Sequence, residues 1–252
     1  MISLIDVRKA YAGRPVLDGV TATIETGSFV AIVGESGAGK STLLKAINRL
    51  AAIDSGVVQV FGRDAEDFAL RDLRRRIGYV FQQVGLFPHL SVADNIWMGP
   101  RLRGDKPRLR SARIAELLDL VSLPQDLAAR FPDQLSGGQA QRVGFARALA
   151  AQPEIMLMDE PFGALDPVTR GGVGATYRAL HDRLGLTSVL VTHDLTEALL
   201  LADRVMVVSA GRIVVDRSPA DLATASDEPA MAGMLGVLRG QLERLDGLVR
   251  HA

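Results

Sequence analysis

The feature that most constrains this chain is the octapeptide GESGAGKS at residues 34–41. It stands between an apolar run of strand length (residues 29–33) and a helical pattern that begins near Lys40 with Leu43, Leu44, Ile47 and Leu50. The octapeptide fits the phosphate-loop pattern G-x-x-x-x-G-K-[ST]. Gly34, Gly37 and Gly39 let the backbone turn its N–H groups toward phosphate oxygens, an approach that side chains would block. The helix that follows adds the positive end of its dipole. Lys40 is expected to reach the β- and γ-phosphates of a nucleotide, and Ser41 to offer its hydroxyl to Mg²⁺. Glu35, Ser36, Ala38 and Thr42 complete the stretch expected against the nucleotide. A strand, a glycine loop and a helix in that order point to an open α/β sheet that binds its ligand at the carboxyl ends of its strands.

The rest of the chain agrees with that class. Strand-like runs fall at residues 2–7 and 20–24, separated by a Gly-Arg-Pro turn at 13–15, and again at 57–61, 77–81, 155–158, 188–191 and 205–208. The later runs are apolar throughout, as expected for a parallel sheet covered on both faces. Residues 84–151 show helical periodicity and no convincing strand, with the clearest helices at 112–121 and 139–150. The expected layout is an α/β core with a parallel or mixed sheet over residues 1–222, interrupted by a helical subdomain at about 84–151. Residues 223–228 read as a linker. A last helix then carries Met231, Leu235, Leu238, Leu242, Leu245 and Val249 in a heptad stripe, suited either to its own domain or to a partner chain.

Composition removes several alternatives. The 29 basic and 29 acidic residues cancel, so no general attraction to nucleic acid is indicated and no nucleic-acid partner is expected. The chain has no cysteine, which excludes disulfides and thiolate metal sites. No run of eighteen apolar residues occurs, and the first residues lack a signal-peptide core. The expectation is a protein that works from the cytoplasmic side and attaches to a membrane only peripherally.

Two further motifs carry chemistry. Residues 155–160, IMLMDE, form an apolar strand that ends in two carboxylates. Asp159 is placed to hold Mg²⁺ through water, and Glu160 to polarise an attacking water as general base. An acidic pair after a strand is by itself commonly a solvated loop start; the phosphate loop in the same chain changes that reading. Residues 135–139, LSGGQ, precede an amphipathic helix, with Ser136 as a plausible N-cap and two glycines that leave the N–H groups accessible.

GESGAGKS, then LSGGQ, then MDEP resemble the motif series of the ABC-type ATPases, and the resemblance covers residues 2–222. It implies that two such domains face each other head to tail. Ser136, Gly137, Gly138 and Gln139 of one would complete the phosphate site of the other. It implies that Tyr11 stacks on adenine, that Gln82 in YVFQQ touches Mg²⁺ and the attacking water (Gln83 is the neighbouring possibility), and that His193 in LVTHD contacts the γ-phosphate. Ala164-Leu165-Asp166 resembles the loop that crosses between the two ATP sites. ATP and Mg²⁺ are the implied cofactors. The implied partners are transmembrane permease subunits, a second ATPase subunit in a homodimer and, indirectly, an extracytoplasmic substrate-binding protein. FPHLSVADNI and LMDEPFGALDPVTR resemble the importer branch for glycine betaine, choline, proline and related osmoprotectants. The alternatives are an importer of another small solute or a soluble ABC-type ATPase with a non-transport role, such as iron–sulfur assembly.

The chain departs from the pattern in two places. Gly171, Gly172 and Gly174 fall where a helix should follow Asp166, and each costs about 1 kcal/mol against alanine, so a kink or close packing is expected there. Ala140 replaces the polar residue often found after LSGGQ, at a position expected to be tolerant.

Overall fold

A computed structural model describes residues 1–163 and 165–224. The heptad stripe expected at 229–250 lies outside the described residues, as does Ala164. The chain opens on a hairpin in which β1 (Ile2–Tyr11) pairs antiparallel with β2 (Arg14–Ile24). The turn is Ala12-Gly13, both at positive φ (48° and 76°), the signature of a connection whose twist matches that of the strands. It is therefore not at 13–15: Arg14 and Pro15 belong to β2, with Pro15 opposite Ala10. Proline is tolerated because β2 lies at the edge of its sheet. β3 (Phe29–Val33) leads through the glycine loop into α1 (Lys40–Ile47). β4 (Ser55–Val60) and the short β5 (Arg63–Asp64) then complete a four-stranded antiparallel sheet in the order β2-β1-β4-β5.

After α2 (Leu70–Arg75) comes β6 (Ile77–Val80). Between β6 and β7 (Ile155–Asp159) the chain forms α3 (Val92–Arg103), α4 (Arg110–Leu120) and α5 (Gly137–Ala150), with no strand among them. The remainder alternates: α6 (Pro167–Leu184), β8 (Thr187–Val191), α7 (Leu195–Leu201), β9 (Arg204–Ser209), β10 (Arg212–Arg217) and α8 (Pro219–Thr224). The second sheet runs β10-β9-β3-β8-β7-β6, parallel except for β10. Sequence reading missed β10 because only Val215 of its residues is buried, which leaves no apolar run to read.

Alternate residues of β3 show why its sequence is apolar throughout. Phe29, Ala31 and Val33 join one core, with Met156 and Met158 of β7 and the helices α3 to α7. Val30 and Ile32 join another, with Leu43, Leu44 and Ile47 of α1 and the inward face of the antiparallel sheet. Every β3 side chain is thus buried on one face or the other. α1 is clamped between the two sheets, and its three large apolar residues contribute about 1.5–3 kcal/mol each by burial. The glycines of α6 do not interrupt it. A Cβ on Gly174 would stand 3.3 Å from the Leu201 side chain, so glycine there lets α6 and α7 approach closely. Gly171 and Gly172 face open space, and nothing in the structure explains them.

Candidate active site

The site forms where β3, β8, β7 and β6 end side by side, at the carboxyl edge of the parallel strands. β3 releases the glycine loop, β7 ends in Asp159 and Glu160, Gln82 follows β6 and His193 follows β8. These segments enclose a cavity of about 710 Å³. Ser36, Gly37, Gly39, Lys40, Ser41 and Thr42 form one wall, Gln82, Glu160 and His193 another, and Tyr11 with Val16 a third. Gly34, Glu35 and Ala38 belong to the same loop but do not line the cavity. Sequence reasoning missed Val16, although the hairpin that presents Tyr11 also brings in β2.

The glycines of the loop divide by cause. A Cβ at Gly34 would fall 2.1 Å from the Val208 carbonyl oxygen, and one at Gly39 would fall 2.4 Å from that of Val16. Both are required by backbone of the chain itself, whereas Gly37, at φ 82°, faces open space. Lys40 is buried, and its Nζ donates to the carbonyl oxygens of Gly34 (2.7 Å) and Glu35 (2.8 Å). Burial pulls its pKa below the ordinary lysine value, against the opposing pull of Glu160 and Asp159. Gly39 caps α1 with no side-chain hydrogen bond, so the first N–H groups of the helix are not satisfied by a side-chain cap.

Opposite the loop, Ser41 donates its hydroxyl proton to Asp159 Oδ1 at 2.7 Å. Gln82 Nε2 donates to Glu160 Oε2 at 3.0 Å, and His193 Nδ1 lies 3.3 Å from the same oxygen. Glu160 holds a positive φ of 45°, a costly backbone geometry for a side-chain-bearing residue and one that clusters at functional sites. Its N–H donates to the Val191 carbonyl, which pins the strained residue to β8. Of the two glutamines, Gln82 lines this cavity, and Gln83 does not. The donor set suits a small hard cation: the Ser41 hydroxyl, which lines this cavity, is already in contact with the Asp159 carboxylate, which lines a neighbouring cavity rather than this one. Mg²⁺ fits such a site, and among the described residues no cluster of three His, Cys, Asp or Glu offers an all-protein cage instead.

Ser136, Gly137, Gly138, Gln139 and Asp166 do not line the cavity. Ser136 caps α5, accepting from the Gln139 N–H at 3.3 Å, while Gln139 Oε1 accepts from the Ser136 N–H at 3.0 Å. Ser136 and Gly137 are exposed. Gly138 has a second constraint: a Cβ there would meet Thr169 Cγ2 at 2.7 Å, at the start of α6. Asp166 caps α6, and the hydrogen bonds it receives from Thr169 hold its carboxyl below the usual range.

A second cavity, about 650 Å³, lies on the far side of Gln82, which lines both. Phe81, Gln83, Phe87, Met98, Leu102 and Arg147 are among its walls. The apolar stretch 86–90 does not act as one surface: Phe87 lines this cavity, Leu86 packs on the core, and Leu90 lines a different recess.

A family model described as ABC transporter matches residues 17–163. The chain is 46% identical over 224 residues to a glycine betaine uptake system ATP-binding protein of Escherichia coli (strain K12), covering 89% of this chain and 73% of that one. It is 44% identical over 223 residues to a choline transport ATP-binding protein of Bacillus subtilis (strain 168), covering 88% and 58%. It is also 45% identical over 235 residues to a sulfate/thiosulfate import ATP-binding protein of Synechococcus elongatus, covering 93% and 67%. The fold matches a dimeric post-hydrolysis ATP-binding cassette bound to ADP and Pi with a TM-score of 0.80, at 34% identity, covering 87% of this chain and 99% of that one. The phosphate loop, the paired carboxylates and the capped helix thus sit within a matched sequence and a matched fold, and the chain belongs to the ABC transporter family as one of its ATP-hydrolysing cassettes.

Proposed function

We propose that this chain energises an importer for quaternary-amine osmoprotectants such as glycine betaine or choline. The observation that carries the catalytic part is the convergence of Gln82 and His193 on one carboxylate oxygen of Glu160, inside the cavity that the phosphate loop walls. In this reading the triphosphate lies along the loop and the open start of α1, with Lys40 on the β- and γ-phosphates. Ser41 and Asp159, with Gln82 beside them, would hold Mg²⁺, which when bound neutralises charge on the phosphate oxygens. Glu160 accepts the proton of the attacking water, Gln82 and His193 orient that carboxylate, and His193 contacts the γ-phosphate. Tyr11, exposed on the cavity wall, offers its ring to adenine.

The exposed start of α5 and Asp166 are reserved for the ATP of a second copy, because they stand outside their own chain's cavity. The permease docks at the second cavity, where Phe81, Phe87 and Leu102 are exposed and Gln82 connects the two sites. A substrate-binding protein outside the cell would deliver solute to that permease. No helix among the described residues is long and apolar enough to cross a membrane, so attachment to the cytoplasmic face runs through the permease.

The substrate rests on the resemblance of residues 87–96 and 157–170 to the osmoprotectant branch and on the glycine betaine and choline relatives. Import of sulfate or thiosulfate is the second reading, favoured by relatives of equal identity. Uptake of labelled glycine betaine, choline and sulfate by cells lacking the chain, with and without osmotic stress, separates the two. Loss of quaternary-amine uptake under stress is the expected result. Loss of sulfate uptake alone moves the chain to the second reading, and no transport defect at all favours a soluble ATPase role.

A further inference from the structure

Arg170 lies one turn into α6 and touches two loops that come from different strands. Its Nη2 donates to the Leu165 carbonyl at 3.1 Å, just before the Asp166 cap of α6. Its Nη1 donates to Asp194 Oδ2 at 3.1 Å, in the loop that follows β8. Its Nε is buried without a hydrogen-bond partner, 3.6 Å from Glu197 Oε1. His193 stands between two residues held by this network, while its own side chain is exposed. Asp194 caps α7 and donates its own N–H to Thr192 Oγ1 at 3.0 Å, and that hydroxyl donates to Glu197 Oε2 at 2.7 Å. The residues before and after His193 are therefore both held by groups that Arg170 reaches directly or through one carboxylate.

We propose that Arg170 is a positioning residue that locks the Leu165-Asp166 segment to the His193 loop, so that contact of a second copy with the first segment is transmitted to the group at the γ-phosphate. The proposal rests on the reading of His193 and Asp166 given above. The physical case is the rigid planar fork of guanidinium, which serves two acceptors in fixed directions, whereas an ammonium is a point charge. Burial pushes the Glu197 carboxyl pKa up, with the Arg170 charge opposing the rise, so the pair is also coupled electrostatically. Neither Arg170 nor any of its partners Leu165, Asp194 and Glu197 lines the cavity, so Arg170 acts on the site through the segments it holds.

Arg178 supplies the control. It lies on the same helix, and its side chain is 29% exposed against 27% for Arg170. It bonds Asp182, Asp203 and the Leu201 carbonyl, none of them in either loop. The experiment is steady-state ATP hydrolysis by the purified full chain with Arg170→Lys, Arg170→Met, Arg178→Lys and His193→Ala, each with its Tm. The expected result is a kcat about tenfold lower in both Arg170 variants, a loss typical of small misplacement of a reacting group, with KM for ATP within about twofold. Arg178→Lys should keep kcat at an equal Tm loss, and His193→Ala should lose activity. Wild-type kcat in Arg170→Lys, or a loss that Arg178→Lys reproduces at matched Tm, overturns the lock while leaving the site reading intact. Full activity in His193→Ala overturns both.

Discussion

α1 and α5 both start at a glycine-rich turn, yet they treat their free N–H groups in opposite ways. α1 begins at Gly39, with φ 103° and no side-chain cap, in the cavity wall beside the buried Lys40. α5 begins at Ser136, whose hydroxyl and whose partner Gln139 satisfy each other's backbone N–H in a closed capping box on the surface. The first start therefore lacks a side-chain cap where it lines its own cavity. The second is complete without a ligand on its own chain and presents only Gly137 and its neighbours outward. On the reading proposed above, such a site is half finished: the α1 start lines the cavity of its own chain, and the α5 start stands outside it.

Substitutions at the two starts should separate these roles. Lys40→Ala should lower ATP hydrolysis by about 10²–10³-fold, the scale of losing a preorganised charge donor, and should abolish ATP binding in calorimetry. Normal hydrolysis would remove α1 from the comparison. Ser136→Arg should also depress hydrolysis, by about tenfold or more, but should leave ATP binding to the single chain intact, because the α5 start lies outside the cavity. The contrast is sharpest in Glu160→Gln, which keeps shape but cannot take the proton. By size-exclusion chromatography that variant should run as a dimer with ATP and a monomer with ADP, and adding Ser136→Arg should return it to monomer in both. A dimer that survives Ser136→Arg would show that the α5 start does not read the partner's phosphate.

A finer test lies inside the α5 turn. Gly138→Ala should lower stability by about 1 kcal/mol, since its methyl meets Thr169 Cγ2. Gly137→Ala should hold or raise stability by up to about 1 kcal/mol, because its Cβ meets nothing and alanine favours helix, yet it should lower hydrolysis. Urea unfolding and ATPase assays on the two variants decide whether each glycine serves packing or the facing copy. Equal stability in both would refute the packing role of Gly138. The smallest effect is in pH. The Lys40 pKa is depressed by burial in the free protein, and bound phosphates should raise it. ATP binding should therefore take up a fraction of a proton, increasingly so as pH rises from neutrality toward the ordinary lysine range, as calorimetry in buffers of different ionisation enthalpy would read.

How legible the chain was depends on where each residue's position is decided. β3, β7 and β8 could be read because strands buried on both faces must be apolar at every position. β10 could not, since an exposed edge strand places few demands on its side chains. The phosphate loop and the Asp159-Glu160 pair were readable as motifs because neighbouring residues do their chemistry as a unit. The choice of Gln82 over Gln83 for the cavity, the presence of Val16 in its wall, and the reach of Arg170 to two loops were not.

By itself the sequence determined the class of fold and the order of the motifs, because backbone geometry and local chemistry bind those to adjacent positions. Only the tertiary structure decided which glycines face open space and which answer to the carbonyls of Val208 and Val16 or the methyl of Thr169. It alone placed Gln82 and His193 on a single oxygen of Glu160, and left the α5 start outside its own site. Those facts depend on contacts between segments far apart in the chain. Side-chain volume and hydrogen-bond direction settle such contacts only once the sheets and helices have packed.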